Sequence, residues 1–226
     1  MRNALQADHL TVKLNGSCGQ SLGAFSVRGI KLEVQGDAND YVGKGLSGGT
    51  ITVRPLMSSP LTASENTIIG NTVLYGATDG FLFASGRAGE RFAVRNSGAS
   101  VVVEGCGSNG CEYMTGGVAV VLGPIGANFG AGMTGGMAYV YDPKGVAEDF
   151  MNTETVLTCA VGHRHWEAQL RSLVTEHAYE TGSRLAERIL SNWEEERANF
   201  LQICPKEMLP HLAHPLSDEA VKVPAE

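Results

Sequence analysis

The chain repeats itself every nineteen residues, and that spacing restricts its fold more than any other feature. Written in rows of nineteen from Asn71, one column holds Asn71, Glu90, Asn109 and Asn128. Seven places on stand Thr78, Ser97, Gly116 and Gly135, followed by Asp79, Gly98, Gly117 and Gly136. Short apolar runs come next: Phe81-Leu82-Phe83, Val101-Val102-Val103, Val118 to Leu122 and Met137 to Tyr141. Upstream, Asp40 to Val53 keeps the register once an insertion within Arg54 to Asn66 is set aside. Gln20 to Val34 joins with a one-residue adjustment. Six rows result.

Runs of three to five residues are too short for helices but suit buried strands, and their β-branched and aromatic residues fit a pleated surface. A nineteen-residue unit cannot hold a strand and a crossover helix, which together need about 30 residues. It does suit one coil of a parallel β-helix, each strand pairing with its copy in the next coil. Parallel crossovers favour one hand, so the expected fold is a right-handed parallel β-helix of about six coils. The 29 glycines then have a role. Gly48, Gly49, Gly98, Gly116, Gly117, Gly135 and Gly136 are expected at a stacked corner. There a copy about 4.8 Å away leaves little room for Cβ, and φ is often positive.

The period changes near residue 160. Trp166, Leu170, Leu173, Val174 and His177 share one face of a helix. Gly182 suits its C-terminal cap, and Ser183 can cap a second helix whose apolar face is Leu185, Ile189, Trp193 and Phe200. The expected organisation is a solenoid over 1–160, a helical hairpin over 161–204 and an extended, proline-containing tail over 205–226. The hairpin is expected to pack on the solenoid's end or on another domain.

A net charge of −7 with 17 scattered basic residues argues against a nucleic-acid partner. No stretch approaches the roughly 20 apolar residues of a membrane span, and the start lacks an apolar signal core, so a cytoplasmic location is expected. The five cysteines lack metal-ligand spacing and read as reduced thiols. Gly43 to Gly48 and Gly130 to Gly135 match GxGxxG, but a strand follows each where a dinucleotide site needs a helix. Cys106 beside Glu104 or Glu112 lacks a histidine to activate it, since all six histidines lie outside the repeats. His163 and His165 read as solvated side chains. Arg87, Glu90, Arg91 and Arg95 read as a surface ion-pairing cluster or a domain interface. No catalytic, cofactor-binding or metal-ligating residue is expected.

Gly36–Gly49, Ile68–Gly80, Gly86–Ala99, Gly107–Gly117 and Asn128–Asp142 resemble the GXGXG domain of the glutamate synthase large (alpha) subunit. Leu173–Trp193 resembles that subunit's extreme C-terminus. The resemblance implies an enzyme that turns glutamine and 2-oxoglutarate into two glutamates. Its glutaminase domain uses an N-terminal cysteine, and an FMN barrel carries an iron–sulfur cluster. The implied role here is a non-catalytic scaffold whose partners are those two domains and possibly the small (beta) subunit. FMN and the iron–sulfur cluster are then expected on the partner domain. The other assignments weighed are a separately encoded subunit (of N-methylglutamate synthase, or the formylmethanofuran dehydrogenase C subunit) and an independent β-helix enzyme. The latter would show a secretion signal or six-residue periodicity, and neither occurs.

Overall fold

The computed structural model describes residues 5–218. In chain order the strands are β1 (Leu10–Ser17), β2 (Ile30–Asp37), β3 (Ser47–Arg54), β4 (Thr67–Ile69), β5 (Asp79–Ala84), β6 (Arg87–Ala88), β7 (Ser97–Val103), β8 (Thr115–Val121), β9 (Gly135–Tyr141) and β10 (Val156–Ala160). Helices α1 (Arg164–Thr181), α2 (Arg184–Ser191) and α3 (Trp193–Glu196) follow, and then β11 (Phe200–Pro205). The main sheet has the order β1-β2-β3-β5-β7-β8-β9-β11-β10, and β4 pairs with β6 in a separate strip. Neighbours from β1 to β9 are all parallel. The fold is thus a parallel β-solenoid of about seven turns, one more than the rows suggested. The extra strand is β1, which alternates Leu10, Val12 and Leu14 with polar residues instead of presenting a compact run.

Register explains the repeat. One column runs Val12, Leu32, Ile51, Leu82, Val101, Ala119 and Ala138, each opposite the next. From Ile51 onward these side chains lie in the interior cluster with no exposure. Such stacking removes apolar surface from water at every coil, worth about 1.5–3 kcal/mol for each fully buried Val or Leu. Side chains alternate faces along a strand. The neighbouring outward column is therefore Lys13, Glu33, Thr52, Phe83, Val102, Val120 and Tyr139. It begins polar and turns apolar.

That change decides where the helices go. Phe83, Val102, Val120 and Tyr139 form a second core with Leu170, Val174, Ile189 and Trp193. The hairpin therefore lies on the outer face of the solenoid's own sheet, rather than at its end. Gly182 at φ 66 caps α1, and Ser183 caps α2 by accepting a hydrogen bond from the Ala186 N–H. The second helix is shorter than expected. Phe200 belongs to β11, which runs antiparallel between β9 and β10 and covers the last coil. The expected extended tail instead begins with a 3-10 turn at Lys206–His211. It then lies against α1, where Trp166 donates its indole N–H to the Pro215 carbonyl at 2.9 Å. Residues 1–4 and 219–226, the outer parts of the expected solenoid and tail, fall outside the described residues.

Candidate functional site

Each coil turns one corner through a backbone pattern that the sequence conceals. Left-handed residues recur at every second position. Examples are Tyr41-Gly43-Gly45, Thr72-Leu74-Gly76, Arg91-Ala93-Arg95, Asn109-Cys111-Tyr113 and Asn128-Gly130-Gly132, with φ between 53 and 78. The alternation aims successive N–H groups at opposite neighbours. The Tyr41 N–H donates forward to Asn71, Gly43 donates back to Leu22, and Gly45 donates forward to Tyr75, each at 2.9 Å. A left-handed residue with a side chain costs roughly 1–2 kcal/mol, so these interlocked bonds must outweigh real strain. Gly45 and Gly132 have a second reason to be glycine. A Cβ there would stand 2.6 Å from the Phe25 ring and 2.5 Å from the Tyr113 ring.

One prediction arises directly. Thr72 is β-branched and sits at φ 59, where asparagine is far better tolerated. Thr72→Asn should stabilise the chain by about 1 kcal/mol in urea denaturation. A loss of stability would mean that the threonine side chain contributes more than its backbone strain costs.

The columns beside this corner carry a polar ladder. The Asp40 Oδ1 accepts from the Asn71 N–H, and the Asn71 Oδ1 accepts from the Glu90 N–H, both at 2.8 Å. Asn128 donates to Asn109 at 2.9 Å, and Asn152 donates to Asn128 at 2.8 Å. The basic cluster at this end does not pair within itself. Arg91 meets Glu112 at 2.9 Å, with its N–H not aimed at the oxygen. Arg95 lies 6.0 Å from the Tyr75 and Tyr113 ring centres, and Arg87 donates to the Ser64 carbonyl at 2.7 Å. The charge pattern therefore serves stacking between coils.

The seven glycines expected at a corner stand at the starts of β3, β7, β8 and β9. A Cβ on Gly135 would lie 2.0 Å from the Thr115 carbonyl oxygen, and one on Gly116 would lie 2.3 Å from that of Ser97. Gly136, Gly117 and Gly48 carry positive φ, whereas Gly135 does not, so the restriction at Gly135 is one of space alone.

The cysteines and histidines that could carry chemistry lie apart in space. Cys106 and Cys111 are buried in the interior, and burial pushes the Cys106 thiol up to about 12. Cys204 is pushed up to about 11, first by burial and then by Cys159. A nucleophile needs the opposite shift. An iron–sulfur cluster needs several thiolates converging on one point. These thiols are divided between the interior and the C-terminal strands. Among the described residues no group of three or more His, Cys, Asp or Glu has metal-holding geometry. His163 is not merely solvated. It caps α1 by accepting the His165 N–H at 3.1 Å, and it reaches Asp218 at 3.3 Å.

One polar cluster escapes sequence reasoning. Glu104 follows the run Val101-Val102-Val103 and points outward, beneath the helices, with 1% exposure. Its Oε1 accepts from Ser183 Oγ and, at 3.1 Å, from Ser85 Oγ, and His177 Nε2 stands 3.6 Å away. In the rows it looks like an acidic residue closing a repeat. Only the docked hairpin makes it a buried acceptor. Glu104 also lines a groove of about 420 Å³ with Arg87, Ile125, Val146, Phe150 and Leu185.

Comparison with known proteins assigns the chain. The model of the GXGXG motif family matches residues 1–206. The chain belongs to the GXGXG motif family. It is 65% identical over 212 residues to the glutamate synthase [NADPH] large chain of Azospirillum brasilense, covering 94% of this chain and 14% of that protein. Identity is 52% to the glutamate synthase [NADH] of Schizosaccharomyces pombe, covering 90% of this chain and 10% of that protein. It is 50% to the ferredoxin-dependent glutamate synthase 2 of Synechocystis, covering 87% and 13% respectively. This GXGXG chain thus spans about one seventh or less of these relatives.

Proposed function

We propose that this chain is the non-catalytic scaffold of a glutamate synthase, packing the glutaminase and FMN/iron–sulfur domains together in the cytoplasm. In this reading the catalytic domains that it packs together make ammonia from glutamine and use it on 2-oxoglutarate, and FMN and the iron–sulfur cluster belong to them. The observation that carries it is the 65% identity over nearly the whole chain to a 14% piece of one such enzyme. Two features support a structural role. The solenoid interior is filled by stacked side chains, and its thiols are shifted away from reactivity. Relatives whose names specify NADPH, NADH and ferredoxin share this region at 50–65% identity, so the choice of electron donor lies elsewhere. No helix of the described residues is long and apolar enough to cross a membrane, which is compatible with that location.

The test uses the purified chain with glutamine and FMN, and separately with the glutaminase and FMN-barrel parts of a glutamate synthase supplied with glutamine, 2-oxoglutarate and a chemical reductant. Alone, it should release no ammonia and acquire no flavin absorbance. Added to the catalytic parts, it should raise glutamine-dependent glutamate formation and reduce escape of free ammonia. A glutaminase turnover by the chain alone, or catalytic parts that couple equally well without it, would overturn the reading.

A further inference from the structure

We infer that the corner joining α1 to α2, residues 177–186, is a lid over Glu104 that opens by itself while the solenoid stays folded. Along most of the hairpin the side chains turned to the sheet are apolar: Leu170, Leu173 and Val174 on α1, and Ile189 on α2. At the corner the buried residues are instead His177, Thr181 and Ser183, followed by Ala186. The polar contacts there converge on one carboxylate oxygen, which Ser85 at the end of β5 and Ser183 at the cap of α2 both address, and the apolar ones are limited to Ala178, Leu185, Ala186 and the Phe83 ring beside His177. His177 stands beside it, wholly buried, with neither ring nitrogen hydrogen-bonded. A buried polar group without a partner costs about 1–3 kcal/mol, so the closed corner is held less firmly than the apolar segments flanking it.

The covalent geometry suits local movement. Gly182 is left-handed, with nothing within 4 Å of a Cβ placed on it, and Tyr179 is 83% exposed. Among the described residues, one ion pair, Lys31 to Glu180 at 2.7 Å, ties the corner to β2. Regions with few buried apolar contacts are those that open below the global unfolding free energy. Because Glu104 and Leu185 also line the 420 Å³ groove, an open lid extends that groove beneath the hairpin.

Amide hydrogen exchange on the intact chain tests this. Amides of 177–186 should exchange by a local opening insensitive to low urea, faster than those of β7, β8 and β9. Glu104→Ala should accelerate the corner by about tenfold or more and leave the strands within about twofold. Ser183→Ala should give a smaller acceleration confined to the same amides, and Ser183→Thr should restore the original rate. Should Glu104→Ala fail to fold, the two Ser183 variants carry the test. Exchange of the corner only by global unfolding, or equal acceleration of corner and strands, would overturn the lid.

Discussion

Gly135→Val should lower the melting temperature by roughly 10 °C, a loss of about 3–5 kcal/mol for a chain of this length. Gly135 opens β9, opposite Thr115 of β8. A Cβ placed on it meets the Thr115 carbonyl oxygen at 2.0 Å and its carbon at 2.6 Å, and both are backbone atoms that cannot rotate aside. Valine therefore has to push two coils apart. The displacement would break the bonds that the Thr134 and Gly135 N–H groups give to the Met114 carbonyl. Gly76→Asn supplies the contrast. Gly76 is left-handed, but nothing lies within 4 Å of its Cβ position, and asparagine tolerates that conformation. Its melting temperature should move by only a few degrees. An unchanged melting temperature for Gly135→Val, or equal losses for the two variants, would contradict the close approach of the coils.

Tyr139→Ala is expected to cost about 3–5 kcal/mol, measured by chemical denaturation. The ring is fully buried between the outer face of β9 and the hairpin. Its hydroxyl donates to Gln169 Oε1 of α1 at 3.0 Å. Truncation leaves a cavity and an unpaired amide oxygen together. Tyr179→Ala, on the exposed side of the same helix, should change stability by no more than about 0.5 kcal/mol. Comparable effects at the two tyrosines would mean that the hairpin does not lie on this face.

The strand register is legible where the interval holds, as from Leu82 to Val101, because a solenoid places the same neighbour one coil on. It slips by one residue into β8, where Val101 faces Ala119 after the irregularity between Ser97 and Ser100, so nineteen-step columns lead from Val101 to the outward-facing Val120. The first coil was not legible, since β1 lies at the open edge and its burial no longer demands a compact apolar run. The left-handed corner was hidden for a different reason. Leu74, Ala93, Cys111 and the arginines adopt φ near 55 without being glycine, because bonds to both neighbouring coils hold them there. β11 was misread as helix, as Phe200 continues the apolar spacing of the preceding residues. Its partners, β9 and β10, become available only after the chain has turned back. The sequence places Glu104 only as an acidic neighbour of Cys106, because nothing near it announces Ser183 or His177.

Periodicity alone settled that this chain coils, which short apolar runs form its strands and that glycines recur at the strand starts, because those demands repeat between adjacent coils and leave a column in the sequence. Tertiary structure decided what occurs only once: the hairpin on the apolar half of the outer face, β11 closing the last coil, and a carboxylate buried beneath a helix corner. Such contacts join residues tens of positions apart in a single copy, so no repetition records them, and only the folded chain brings their partners together.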